Sequence, residues 1–367
     1  MDISVVIPCL NESETLQICI DKIKKKLSER KLQGEIIISD NGSTDGSLDI
    51  AKKNDVKIIN VEKKGYGFTV SSGINSAKGK YILIADADDS YDFNELPNFY
   101  DEIDKGFDIV QGCRLPGGGG KIEGGAMPIS HKLIGNPLFT FLSKLIYKLP
   151  FNDVYCGMKI IRKNFFEKIF FFSGGMVWCL EILIKSKINS AKCGELPITL
   201  FKDGRKKGKS HLKTISDGLK TLKFILICSP KWIYLLPSLI FIGFPLVFLF
   251  KTFFNFNLNF NEYLLQTLAS FFLGTQIFML GLYSTLRAET LGLSKEGRLK
   301  KFFSFFSLRL SLISNFLIIL LVNYLYFYDM LDFLNEENKK VFQIFVSLIS
   351  LNLIFNSFFV SLLRINK

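Results

Sequence analysis

The stretch Ile82-Leu-Ile-Ala-Asp86-Ala-Asp88-Asp89 passes from an apolar, strand-like run directly into three carboxylates within four positions. Carboxylates this close repel one another and raise each other's pKa unless a positive charge lies between them. Hard oxygen ligands of this kind suit Mg²⁺ or Mn²⁺ carrying a substrate's phosphates. An acidic turn exposed to water has the same local pattern, since Asp is a common turn residue. Both interpretations are open until the surrounding chain is considered.

Short apolar strands alternate with helical segments around this stretch. The pattern predicts strands at 3–7, 35–39, 56–60 and 81–85, with helices between them at 14–29, 47–54 and 67–77. Such alternation predicts an α/β fold with a parallel, doubly wound sheet, whose ligand binds beyond the carboxyl ends of the strands.

Each of the four strands is followed by a polar cluster. The clusters are Pro8 to Glu12, Asp40 to Asp45, Glu62 to Gly67 and Asp86 to Asp89. Taken singly, each can be a helix cap or an ordinary turn. Because all four fall on the same edge of the predicted sheet, together they predict one binding crevice that includes a metal site.

Long apolar blocks begin near residue 230 and differ sharply from the mixed sequence before them. They cover 233–250, 263–286, 310–327 and 341–363, each close to the roughly 20 residues that cross a bilayer. We therefore predict a soluble domain at 1–225 and an all-α membrane domain of four transmembrane helices at 226–367. The first block contains two prolines and a glycine, so a re-entrant or interfacial element is its alternative.

Positive charge indicates the orientation of these helices. Lys and Arg concentrate in the connection from Arg287 to Arg309 and in the tail, whereas the other two connections lack this excess. The positive-inside rule then predicts a multi-pass integral membrane protein with its N-terminal domain and C-terminus in the cytoplasm. The net charge of +12 is unaccompanied by a nucleic-acid recognition motif, so nucleic acid is not predicted as a partner.

Two segments of the soluble domain are predicted to contact the membrane. The basic run from Lys202 to Lys223 precedes the first apolar block and suits anionic headgroups. The segment 136–149 has apolar residues at helical spacing with lysines on one side, which predicts an interfacial amphipathic helix or, equally well, core packing.

The polar clusters resemble the motifs of the family 2 glycosyltransferases, whose nucleotide-sugar-binding domain has the Rossmann-like GT-A fold. The matching stretches are Val5 to Glu12, Glu35 to Gly46, Lys64 to Gly67 and Ala85 to Asp89. The resemblance implies that the donor nucleotide sugar is bound by Pro8, Glu12, Asp40, Lys64, Gly67 and Asp86, with Asp40 at the base. It also implies that Asp86 and Asp88 hold Mg²⁺ or Mn²⁺ with the diphosphate. Asp89 is the candidate third metal ligand, because Ser90 stands where a Gln ligand is typical.

Later stretches narrow the resemblance to the polyprenyl-phosphate sugar transferases, the group of the dolichyl-phosphate mannose and glucose synthases. These stretches are Val110 to Arg114, Asp153 to Lys159, Glu195 to Pro197 and Arg205 to Ser210. The resemblance implies inverting, metal-dependent transfer of a hexose from a UDP- or GDP-sugar to a polyprenyl phosphate. Glucose is favoured, with mannose and N-acetylglucosamine as alternatives.

We expect three residues to act in this transfer, namely Asp88, Arg114 and Arg205. Arg205 and Lys209 are predicted to close over the donor phosphates. Arg114, a planar donor suited to phosphate, is predicted to hold the acceptor with Lys132. A lipid phosphate is already an anion, so no general base is expected.

Two other functions are considered. A membrane transferase that extends a polysaccharide resembles such synthases in a Gln-x-x-Arg-Trp run, which this sequence lacks. A non-catalytic membrane scaffold with a sugar-nucleotide fold is disfavoured by the acidic cluster and the basic loop. The sequence leaves open whether the apolar helices hold the lipid, anchor the domain or form a homo-oligomer.

Overall fold

The computed structural model describes residues 1–205, 214–227, 231–253, 260–293, 308–327 and 336–365. The chain divides into two compact units. The first comprises Met1–Ile225 with Leu291–Leu293, and the second comprises Leu226–Thr290 with Ser294–Lys367.

Strands and helices alternate through the first unit. The strands are β1 (Ile3–Cys9), β2 (Gly34–Asp40), β3 (Lys57–Asn60), β4 (Tyr81–Ile84), β5 (Ile109–Cys113), β6 (Lys121–Ile122), β7 (Lys159–Arg162), β8 (Cys193–Pro197) and β9 (Thr199–Leu200). The helices are α1 (Leu16–Glu29), α2 (Ser47–Lys53), α3 (Tyr66–Ser76), α4 (Leu96–Asp104), α5 (Asn136–Tyr147), α6 (Lys163–Phe166) and α7 (Trp178–Ile188), followed by α8 (Thr214–Ile227).

Seven of these strands form one sheet in the order β3-β2-β1-β4-β7-β5-β8. The first four in this order are parallel, as the alternating pattern predicts. The predicted fully parallel sheet is wrong in one place, because β7 is antiparallel to both β4 and β5. β7 contributes only four residues after a long excursion of the chain, and its register places Lys159 beside Ile84 at the end of β4.

Apolar periodicity explains how helices cover this sheet. In α1 the buried residues Leu16, Ile20, Ile23 and Leu27 recur at helical spacing and join the core beneath β1. Gly34 begins β2 in contact with this helix, since a Cβ there would lie 2.7 Å from the Leu27 side chain. Packing of this kind holds α1 against the sheet.

The second unit consists of long apolar helices: α9 (Leu236–Phe253), α10 (Phe260–Thr290), α11 (Leu308–Phe327) and α12 (Glu336–Ile365). They overlap the four predicted apolar blocks. By length and composition, the segments Tyr263–Thr290 and Lys339–Ser357 are able to cross a membrane, and the apolar parts of α9 and α11 are shorter. A buried core helix passes the same test, so four membrane spans stay a prediction.

Candidate active site

Four neighbouring strands deliver the polar clusters to one edge of the sheet, and Asn60 at the end of β3 pairs with Asp40 at the end of β2. Cys9 at the end of β1 pairs with Asp40 at the end of β2, and Val6 pairs with Ile84 at the end of β4. Pro8 lies in this edge opposite Ser39. The prediction that the clusters share one edge is therefore confirmed.

Asp40 fixes the turn that follows β2. Its carboxylate, only 2% exposed, accepts hydrogen bonds from the amides of Gly42 at 2.8 Å and Ser43 at 3.0 Å. The amide of Glu12 in turn donates to the Ser47 hydroxyl at 2.8 Å. The first two polar clusters thus form one interlocked unit, and the contact of Asp40 with a base stays a prediction.

Asn41 connects this unit to the donor loop, which we define as residues 61–67. Its side-chain amide donates to the carbonyls of Val61 at 3.0 Å and Lys63 at 2.9 Å, and its carbonyl accepts from the Gly65 amide at 2.8 Å. A carboxylate at this position would present oxygen to both carbonyls. An asparagine at this position, rather than an aspartate, therefore suits the way this chain holds its donor loop.

Lys64 and Gly67 of the donor loop both contact other parts of the protein in this structure. The Lys64 ammonium donates to the carbonyl of Asn41. A Cβ at Gly67 would lie 2.1 Å from the Ser173 carbonyl oxygen, so glycine is required there by another part of the protein. Binding of the donor by these two residues stays a prediction.

Asp86 carries a strongly perturbed carboxylate. Burial, followed by the charge of Asp88, raises the pKa of Asp86 to about 7. The nearby charge of Lys159 and the hydroxyl of Tyr66 offset only part of this effect. An ionised Asp86 therefore favours an additional cation.

The loop that precedes β7 packs against Asp86. A Cβ at Gly157 would lie 2.8 Å from the Asp86 carboxylate, and the Gly157 amide donates to the Tyr91 hydroxyl at 2.8 Å. The fully buried Lys159 donates to the carbonyls of Cys156 at 2.7 Å and Gly157 at 3.1 Å. These contacts fix the wall that faces the first acidic residue.

Arg205 lies between two carboxylates of the site. It forms a two-pronged ion pair with Glu12, with Nε 2.8 Å from Oε2, and its Nη2 lies 3.4 Å from Asp88 Oδ2. The amide of Gly204 donates to the Asp88 carbonyl at 2.9 Å and aligns this segment with the acidic turn. Asp88 also accepts from the Ser90 hydroxyl at 2.6 Å. The structure thus brings Glu12, Asp88 and Arg205 together.

Asp89 does not join this group. Its backbone φ of 58° is left-handed, and its carboxylate pairs with Lys22 of α1 at 2.8 Å. Among the residues that the structure describes, no three His, Cys, Asp or Glu side chains form a group that holds a metal ion. The predicted ligand set of Asp86, Asp88 and Asp89 is therefore not assembled, because Asp89 points to α1.

Two carboxylates nevertheless fit a divalent cation. Mg²⁺ commonly binds one or two protein carboxylates, with substrate phosphates and water completing its octahedron. Asp86 and Asp88 supply hard oxygen atoms, and the raised pKa of Asp86 marks negative charge that the surrounding protein only partly offsets. These two residues are the ones that would hold Mg²⁺ or Mn²⁺.

Arg114, which was predicted to hold the acceptor phosphate, forms an ion pair within the protein. Its side chain, almost fully buried, donates to Asp153 from Nε at 2.7 Å and Nη2 at 2.9 Å, and to the Tyr91 hydroxyl from Nη1 at 3.2 Å. Lys132 is exposed. The guanidinium of Arg114 is thus bound to other residues of the protein, and it orders the loop that begins at Asp153. A phosphate that binds Arg114 would have to compete with these contacts. Lys209 lies outside the described residues.

Sequence reasoning missed the roles of Tyr66, Tyr91 and Lys159. Tyr66 and Lys159 belong to the stretches Lys64 to Gly67 and Asp153 to Lys159. Nothing in those stretches indicates that either side chain lies near Asp86. The available signal was Lys159 next to two isoleucines, since a charge that is buried with them is rarely unpaired.

A doubly wound sheet with an acidic pair, a bridging arginine and a glycine-containing loop at its carboxyl edge is typical of α/β proteins that bind a nucleotide at that edge. The family model described as Glycosyl transferase family 2 matches residues 4–170. The likeness to this family therefore concerns the N-terminal part of the chain.

Two relatives are similar to more than half of this chain. The chain is 31% identical over 237 residues to the low-salt glycan biosynthesis hexosyltransferase Agl6 of Haloferax volcanii, covering 64% of this chain and 56% of that protein. It is 30% identical over 226 residues to the dolichol-phosphate mannosyltransferase of Pyrococcus furiosus, covering 60% and 62%. The match therefore spans less than two thirds of each of these relatives.

A solved structure shares the fold. The crystal structure of a mycobacterial protein superposes with a TM-score of 0.50 at 16% identity, covering 62% of this chain and 74% of the other. At this identity the likeness concerns the fold alone.

Proposed function

We propose that this protein transfers a hexose from a nucleotide sugar to a polyprenyl phosphate at the cytoplasmic face of a membrane. The transfer is metal-dependent and inverts the configuration at the sugar's anomeric carbon. Glucose is the favoured sugar, and UDP- and GDP-hexoses are the donors to test. The names of the relatives, a hexosyltransferase and a dolichol-phosphate mannosyltransferase, support this class of donor and acceptor.

The observation that carries the proposal is the group of Glu12, Asp86, Asp88 and Arg205 at the carboxyl edge of the sheet. Asp86 and Asp88 provide the oxygen ligands for a divalent cation, which when bound supplies Lewis-acid stabilisation of the leaving diphosphate. Arg205 provides a fixed positive charge beside them. Such preorganised charge stabilises negative charge that develops during transfer.

The reaction needs no proton removal from the acceptor. An oxygen of the lipid phosphate forms a bond to the anomeric carbon while the bond to the nucleoside diphosphate breaks. Arg205 bridges Glu12 and Asp88 in this structure. When the donor binds, we expect some of the guanidinium N–H groups to donate hydrogen bonds to the diphosphate instead. Arg114 and Asp153 act by keeping the loop at Gly157 in place against Asp86.

An exposed apolar surface supports a lipid acceptor and membrane location. Ile129 is 75% exposed, Leu133 66% and Phe141 61%, and the last lies on α5. Core packing is thus not the role of these side chains within the first unit. A surface of this kind with Lys132 beside it suits the boundary between headgroups and acyl chains.

The proposal is tested with the full-length protein in detergent–lipid micelles. UDP-glucose, UDP-N-acetylglucosamine and GDP-mannose are each supplied with polyprenyl phosphate and Mg²⁺ or Mn²⁺, and the lipid product is identified by mass spectrometry. We expect one donor to give a polyprenyl-phosphate sugar that chelator abolishes. Failure of all donors with both metals contradicts the proposal.

Two matched variants test the metal ligands. Asp88→Asn is expected to lower kcat/KM by at least about 100-fold, because a carboxylate that binds the metal is lost. Asp89→Asn keeps a residue type that tolerates a left-handed backbone and is expected to retain activity within about fivefold, since Asp89 pairs with Lys22. Equal losses in the two variants would restore Asp89 as a ligand.

A further inference from the structure

A short segment without regular secondary structure lies behind the donor loop. We call residues 172–174 the backing segment. The Gly67 amide donates to the Gly174 carbonyl at 2.9 Å. A Cβ at Gly65 would lie 2.3 Å from the Gly174 carbonyl oxygen, and one at Gly67 2.1 Å from that of Ser173. The two glycines of the donor loop therefore allow backbone to lie directly against backbone.

A buried ion pair on α7 holds the backing segment. Glu181 and Lys185 are 0% and 2% exposed and lie 2.6 Å apart. The Glu181 carboxylate accepts hydrogen bonds from the amides of Phe172 at 3.2 Å and Ser173 at 2.9 Å. The Lys185 ammonium donates to the Phe170 carbonyl. The pair thus replaces, for this segment, the hydrogen bonds that a strand or helix would supply.

The held loop reaches the acidic site through Tyr66. Tyr66 stands between the two glycines, and its buried hydroxyl interacts electrostatically with Asp86. A displacement of the backing segment would therefore move Tyr66 relative to Asp86. Apolar side chains of similar volume often stabilise a core as well as a buried ion pair does. Stability alone therefore does not explain why an ion pair holds the backing segment.

We propose that Glu181 and Lys185 are positioning residues for the nucleotide-sugar donor. They act through Ser173 and Gly174 on the donor loop and touch neither substrate. This inference rests on the proposed function for its kinetic consequence. Its structural part, that the pair sets the position of the donor loop, does not require turnover.

The kinetic test uses full-length Glu181→Gln with the donor and polyprenyl phosphate varied separately. Glutamine keeps the shape but removes the charge and one acceptor. We expect the KM for the nucleotide sugar to rise about tenfold, the factor that corresponds to one lost hydrogen bond to a charged group. The KM for the lipid is expected to stay within about twofold. Lys185→Arg, which keeps the positive charge, is expected to retain most of the donor affinity.

A control separates positioning from stability. Ile103→Ala removes buried side chain from α4, which packs on β5 and β7, and is expected to lower Tm without changing the KM for the donor. If Glu181→Gln does not fold, Gly174→Ala replaces it, because the three heavy atoms nearest to its Cβ, the first at 2.1 Å, all belong to the Phe68 side chain. A donor KM within twofold of the wild-type value in the folded variant overturns the inference.

Hydrogen–deuterium exchange makes the test independent of turnover. Peptides covering residues 64–70 are expected to exchange at least about tenfold faster in the variant than in wild-type protein, because the bond from the Gly67 amide to Gly174 is weakened. Ile103→Ala is expected to leave these peptides unchanged relative to the rest of the first unit. Unchanged exchange overturns the inference, whereas absence of transfer by the wild-type protein contradicts only the proposed function.

Discussion

Replacing Asp86 by asparagine is expected to stabilise the protein in the absence of metal. The pKa of Asp86 is raised from 3.8 to about 7, with burial as the largest cause. A carboxyl whose pKa is higher in the folded state favours folding when protonated and opposes it when ionised. The penalty is absent below pH 4, grows as the pH rises towards 7, and is constant above it. Asp86→Asn keeps the shape and removes the ionisation.

The size of the gain follows from the shift. A change of about three pKa units corresponds to about 4 kcal/mol, at 1.36 kcal/mol per unit. Because Asp86 is only half-buried, solvent screens part of this energy, and we expect about 2 kcal/mol at pH 8. For a unit of this size the gain corresponds to roughly 4–8 °C in Tm.

The assay is thermal unfolding of full-length wild-type protein and Asp86→Asn in chelator between pH 4 and pH 8. The difference in Tm is expected to be near zero at pH 4 and to reach its full value above pH 7. Asp108→Asn, at a half-buried carboxylate paired with Arg162, serves as a control without this gain. A difference that is absent at pH 8, or independent of pH, would refute the electrostatic account of Asp86.

Three further substitutions probe the other contacts of the site. Asn41→Asp places oxygen against two carbonyls and is expected to cost about 2 kcal/mol of stability and to raise the KM for the donor; an unchanged Tm in thermal unfolding contradicts this. Arg205→Ala is expected to lower kcat/KM by about 1,000-fold, and Arg205→Lys by less, because lysine keeps the charge without the planar fork; equal activity of both variants and wild type excludes a role for Arg205. Asp153→Asn leaves the Arg114 guanidinium buried without its charged partner and is expected to cost about 3–5 kcal/mol, measured by denaturant unfolding, whereas a loss below 1 kcal/mol shows that the pair is dispensable.

Local pattern was sufficient for the first four strands and the edge they share. The alternation of apolar strands with amphipathic helices leaves few ways to bury both faces of a sheet. Polar residues at four consecutive strand ends then meet at one edge, because parallel strands point the same way. The positions of Pro8, Asp40 and Asp86 at this edge follow directly.

Partners distant in the chain were beyond the reach of local pattern. β7 lies antiparallel between β4 and β5, and its four residues, two isoleucines between Lys159 and Arg162, do not indicate the direction of the strand. Asp88 and Asp89 are adjacent in sequence, yet a left-handed backbone at Asp89 sends its carboxylate to Lys22 and leaves Asp88 near Arg205. Local pattern made both residues candidate metal ligands.

Strand periodicity and turn chemistry are local properties, so the sequence alone predicts an acidic cluster at the carboxyl edge of an α/β sheet. Packing of the whole chain selects which carboxylates remain together. It moved Asp89 to α1, enclosed Arg114 with Asp153, and brought Arg205 to Glu12 across most of the first unit. These choices depend on burial and on which opposite charge folding brings within reach, and both are properties of the packed chain.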